Sequence, residues 1–140
     1  MGTMLTADKT PAKSLVVGLW LAQVILALAF GMAGAMKTSM PVEELAGNLP
    51  WVRDLPNLVR FIGISELLGA CGLILPAITR IYPILTPLAA LGLLIVMILA
   101  TGFHVMRGEL QALPVNVVLG GICGFIAWGR AFKAPIKTRK

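Results

Sequence analysis

The sequence predicts an all-α integral membrane protein, a four-helix antiparallel bundle with both termini cytoplasmic. Three observations carry this expectation. Hydrophobic residues make up 58% of the 140 and charged residues only 13%, with a mean hydropathy of +0.90. The apolar residues gather into four nearly uncharged runs, 15–36, 58–78, 84–106 and 113–132. Each is close to the ~20 residues that cross a bilayer as a helix. Of the twelve Lys and Arg residues, eight lie before the first run, between the second and third, or from the last turn of the fourth (Arg130) onward. Four crossings place those three regions on one side, and the positive-inside rule makes that side the cytoplasm. The polar residues 1–14 then form a disordered cytoplasmic lead-in, 15–132 the membrane domain, and 133–140 a basic tail. No length remains for a soluble domain.

This distribution also disposes of the net charge of +6. Basic ends beside an anionic leaflet need membrane lipids as partners and no nucleic acid. The first run exceeds the ~7–15 residue core of a signal peptide, so it reads as an uncleaved helix despite the Ala33-Gly34-Ala35 triplet. Cys71 and Cys123 each fall inside a run, with no CxxC, haem or zinc spacing. They differ in depth by about 6 Å at the helical rise and read as structural, and no metal site is expected.

Taken in order, the first run contains a single polar side chain, Gln23, whose helix face continues through Ala27, Gly31 and Gly34 to Lys37. In the long first loop, SMPVEELAGN predicts a short helix. Pro41 fits its opening turn, Glu43 and Glu44 its positive end, and Gly47 its termination. LPWVRDLP follows, with Trp51 placed as an interfacial anchor and two prolines blocking regular structure. This loop is expected to lie on the outer face as a lid. The second run, ending at Pro76, holds Glu66, with the small residues Gly63, Gly69 and Ala70 on the same face. A mid-bilayer carboxylate costs about 2.5–3.5 kcal/mol on insertion scales, so it faces protein and not lipid. Arg80, in the tight second turn, reads as a topology anchor. His104 closes the third run, and Asn116 opens the fourth, above Gly120, Cys123 and Gly124. Trp128 and Arg130 mark the cytoplasmic boundary.

Topology places Lys37, Arg60, Glu66, His104 and Asn116 in the outer half of the bundle. At the helical rise, Glu66 lies about 12 Å deep, His104 and Asn116 about 3–5 Å, and Gln23 about 20 Å. The expected result is an outward-facing polar funnel narrowing onto Glu66. Lys37 is aimed at the carboxylate, with His104 and Asn116 as further companions. Arg60 lies about 240° round the helix from Glu66 and snorkels to the headgroups. A protonated Glu66, needing no cation, is the alternative. Lys37, Arg60, Glu66, His104, Asn116 and Gln23 are the candidate ligand-binding residues. Helix-holding hydrogen bonds are the competing explanation for each.

The ordered segments GMAGAMK, RFIGISELLGACGLILP, PLAALGLL with ATGFH, PVNVVL and AWGR resemble the DoxX-like family of small four-helix membrane proteins. The set Lys37, Glu66, Pro76, His104, Asn116 and Arg130 carries the likeness. The resemblance implies a multi-pass protein of the bacterial cytoplasmic membrane, with relatives in thiosulfate:quinone oxidoreductase systems and others that associate with redox partners. It implies a small component of a redox or quinone-linked system, a quinone as the possible cofactor, and a redox protein as partner. A non-catalytic assembly protein, including a homo-oligomer, is the other reading. No haem, flavin or metal motif assigns the chain an enzymatic activity of its own.

Overall fold

A computed structural model describes residues 10–140, and every regular element among them is helical. The order is α1 (Lys13–Ser39), α2 (Val42–Asn48), a 3₁₀ turn (Pro50–Arg53), α3 (Pro56–Thr79), α4 (Leu85–Arg107), a second 3₁₀ turn (Leu110–Ala112), α5 (Leu113–Trp128) and a π turn (Gly129–Lys133). Helices α1, α3 and α4, together with α5 and its flanking turns, are each long and apolar enough to cross a membrane. The lead-in expected over 1–14 lies mostly outside the described residues, while Lys13 and Ser14 belong to α1.

Local chemistry explains the boundaries. Met40 is extended ahead of Pro41 and stops α1, whose last turn carries Lys37 against the negative end of the helix dipole. Glu43 and Glu44 occupy the first turn of α2, where the dipole favours carboxylates. Helix α4 ends on Gly108 at φ +72, a left-handed cap that suits glycine. Two expectations fail at prolines. Pro50 and Pro56 open helical turns instead of blocking structure, because a first-turn residue has no intrahelical partner for its N–H. Pro76 does not end α3, which runs on to Thr79 and closes with Arg80 in the left-handed region.

The helices form a ring in which α1 packs on α3, α3 on α4 and α4 on α5, with α5 returning to α1. Leu26, Phe30, Leu73, Leu93, Cys123 and Ile126 fill the centre. The close approaches occur at glycines. A Cβ on Gly34 would stand 2.7 Å from the Gly63 carbonyl oxygen, and one on Gly63 only 2.8 Å from Lys37 Cβ. The outward surface is apolar, with Leu28, Met32, Phe61, Leu68 and Leu99 each about two-thirds exposed or more, as lipid contact requires. The bundle thus has a loop end, under α2, and a terminal end, where the chain returns after α5. The last residues are no free tail: the Arg139 N–H donates to the Arg80 carbonyl at 2.9 Å, and Arg80 Nε donates to the Lys137 carbonyl at 3.0 Å.

Candidate functional site

At the loop end, the Gly34–Gly63 contact brings the last turn of α1 onto the first half of α3. Lys37 and Glu66 meet there. Lys37 Nζ donates to both carboxylate oxygens of Glu66, at 2.7 and 2.9 Å. The pair is asymmetric: the Glu66 side chain is 3% exposed and that of Lys37 19%. Moving two charges out of water carries a penalty that their attraction repays only with good geometry. Here one ammonium spans both oxygens, so the geometry is good.

Arg60 does not snorkel. Its two terminal nitrogens donate to the Lys37 and Met40 carbonyls, both at 2.7 Å, which satisfies carbonyls that the end of α1 leaves without helical partners. Arg60 thereby holds the backbone of the residue whose side chain pairs with Glu66.

The loop above forms a lid in which Leu45, Trp51 and Val52 make a small core with Val59 of α3. Trp51 is not an interfacial anchor. It is 5% exposed and packs edge-on against Phe103 of α4, with ring centroids 5.3 Å apart. Its Nε1 is buried without an acceptor among the described residues. With Glu66 2% exposed, the carboxylate lies in a closed cluster, not at the base of an open funnel.

His104 and Asn116 make no hydrogen bond to Glu66. His104 Nδ1 lies 2.7 Å from Glu109 Oε2, and Arg107 Nε donates to the other oxygen of the same carboxylate at 2.9 Å. Those hydrogen bonds, from Arg107 first and from His104 second, hold the Glu109 carboxyl below its ordinary value. Asn116 is half-buried, and its Nδ2, like Trp51 Nε1, is buried with no partner among the described residues.

Gln23 belongs to a different cluster. Its Nε2 donates to the Leu73 carbonyl at 2.7 Å, and its Oε1 accepts from Arg130 Nε at 2.7 Å. Arg130 is 4% exposed, so it is a buried group at the terminal end and not a boundary marker. The sequence carried a signal for this pairing. Gln23 lies nearer the start of α1 than its end, closer in depth to Arg130 than to Glu66.

Among the described residues, no group of three or more His, Cys, Asp or Glu side chains is placed to hold a metal ion. Cys123 is buried and Cys71 exposed on the lipid-facing side, both as free thiols.

No curated protein and no solved structure matches the chain. The model of the DoxX-like family matches residues 21–126, a stretch that includes Gln23, Lys37, Arg60, Glu66, His104 and Asn116 and stops short of Arg130. With four membrane-crossing helices in the order and spacing described, and the family's model matching most of the chain, this multi-pass membrane protein belongs to the DoxX-like family.

Proposed function

We propose that the protein is a small component of a redox or quinone-linked system in a bacterial cytoplasmic membrane, with both termini cytoplasmic. Its loop-end cluster takes the polar head of a small amphiphile. The observation that carries this reading is the asymmetry of the Lys37–Glu66 pair: a sealed carboxylate joined to an ammonium that keeps 19% of its side-chain surface. An intramembrane ion pair is a functional candidate by default, and this one has a reachable donor.

The donors present suit a quinone headgroup. Lys37 Nζ offers a charged donor, and Trp51 Nε1 and Asn116 Nδ2 at the loop end are neutral donors without an acceptor among the described residues. A quinone, when bound, supplies a two-electron, two-proton couple, with its electrons exchanged through a redox partner protein. In this chain Lys37 orients a carbonyl oxygen, Glu66 holds or yields a proton at its carboxylate, and the apolar lid excludes water. His104, tied to Glu109, takes no part.

The purified protein in neutral detergent, titrated with a short-chain ubiquinone analogue, tests the assignment. Saturable binding that weakens tenfold or more in Glu66→Gln, with helical content retained, supports it. Absence of saturable binding, or binding unchanged in the variant, sinks it.

A second reading has its own observation. Both Glu66 oxygens are met by Lys37, and the terminal nitrogens of Arg60 by α1 carbonyls, so the cluster also serves as a self-contained clasp. Away from it, along the half of α1 nearer its start, α1 and α5 leave an apolar groove of about 460 Å³ lined in part by Gly18 and Gly121. A helix of another membrane protein, or of a second copy, fits such a groove, and the protein then acts in assembly.

A further inference from the structure

At the terminal end, a cavity of about 680 Å³ opens between the α3–α4 turn and the chain that follows α5. Arg80, Arg130 and Arg139 line it, with apolar walls from Ile81, Ile84 and Ile136. No carboxylate lines it among the described residues.

Arg130 is the informative member. It is 96% shielded from solvent, yet no Asp or Glu lies within ion-pair distance of it among the described residues. Nε donates to Gln23 Oε1 at 2.7 Å, Nη1 donates to the Ala134 carbonyl at 3.2 Å, and the guanidinium carbon sits 5.2 Å from the Trp20 ring centre. Nη2 has no partner at all among the described residues, although it is buried. A buried charge without a counter-charge is costly, and so is a buried donor without an acceptor. One anion with acceptor oxygens relieves both.

The rest of the cavity narrows the anion's chemistry. Arg80 is held in a left-handed cap and strapped to the final residues through its own Nε and carbonyl. That strap fixes the backbone of Arg80 and Arg139 beside each other in the cavity lining. Arginine nitrogens match the oxygens of phosphate, and the isoleucine walls match a glycerol and acyl stem. The cavity also lies at the end of the bundle that carries most of the basic residues, where a basic pocket between helices faces lipid headgroups.

We infer that this cavity is a binding site for the phosphate headgroup of an anionic phospholipid, with Arg130 Nη2 as its buried donor and Arg80 and Arg139 at its mouth. The site is separate from the Lys37–Glu66 cluster and does not depend on it.

The full-length protein, delipidated in neutral detergent, is titrated with dihexanoyl phosphatidylglycerol, with dihexanoyl phosphatidylcholine and with inorganic phosphate, and binding is read by native mass spectrometry and thermal shift. The expected result is at least tenfold tighter binding of phosphatidylglycerol than of phosphatidylcholine. Arg130→Lys, which keeps a charge but replaces the guanidinium and its three nitrogens by one ammonium, and Arg139→Gln, at an exposed position that leaves the backbone strap in place, should each weaken binding threefold or more. If Arg130→Lys does not fold, Arg139→Gln alone decides. Equal binding of the two lipids, or affinity unchanged in a folded variant, overturns the site. Inorganic phosphate giving the full shift at the same concentration overturns its assignment to a lipid.

Discussion

Lys37 and Glu66 are each expensive alone and inexpensive together. Removing one partner strands the other in a nearly dry site, and such single truncations cost about 3–5 kcal/mol. Lys37→Met and Glu66→Leu should therefore each lower stability in detergent by an amount of that order. The double variant should return close to wild type, because an apolar pair of similar volume replaces a pair that broke even at best. Chemical unfolding of the four proteins as a double-mutant cycle measures this directly. Glu109 behaves differently because it lies in an exposed turn outside the spans. Its folded carboxyl is held below the ordinary 4.5 by hydrogen bonds from Arg107 and His104. A depressed acid contributes its stabilisation fully above the unfolded value, and that contribution is lost as pH falls through the lower folded value. The thermal-stability difference between wild type and Glu109→Gln should thus shrink as pH falls below about 5. A difference that stays unchanged down to about pH 3 would mean that the carboxylate is not held by those donors.

At the scale of elements, the α1–α3 contact decides whether the Lys37–Glu66 pair forms. Gly34 and Gly63 stand where any side chain would strike the facing helix, Gly34 against backbone and Gly63 against Lys37 itself. Gly34→Ala should cost about 1–3 kcal/mol, the usual penalty for overpacking a tight contact. Gly92→Ala is the matched control. Nothing lies within 4 Å of its added methyl, so helix propensity should make it neutral or stabilising by roughly 0.5–1 kcal/mol. Thermal unfolding of both in one detergent checks the pair.

The same scale shows what could be read from the sequence. Run length and hydropathy disclosed the four spans, and the 3.6-residue period disclosed that Lys37, Gly34, Gly63 and Glu66 lie on inward faces. Depth along a helix is legible in this way. Lateral neighbours are less so, and the misses share that cause. Gln23 is the exception: its polarity groups it with Glu66, while its depth, nearer the start of α1, matches the Arg130 that it meets. The position of Trp51 in the sequence suits the interface, yet the lid folds it onto Phe103. His104 is a local case: the left-handed Gly108 turns the chain so that Glu109 comes back beside it, and a glycine at that position is a cue the sequence did contain.

For the whole molecule, an apolar belt surrounds a bundle with a polar cluster at each end. The loop-end cluster is an ion pair under a lid. The terminal-end cluster is a cation whose last nitrogen is unanswered among the described residues. An inert bundle would be at least as stable with apolar residues at both places, which directs attention to what the clusters bind. The most direct measurement is quinone titration of the Lys37→Met/Glu66→Leu double variant beside the wild type, with folding confirmed by circular dichroism. Binding by the wild type, and its loss in a double variant of near-native stability, is the result predicted here. A folded double variant that binds the quinone as tightly as the wild type would contradict the assignment of the loop-end ion pair as the binding site.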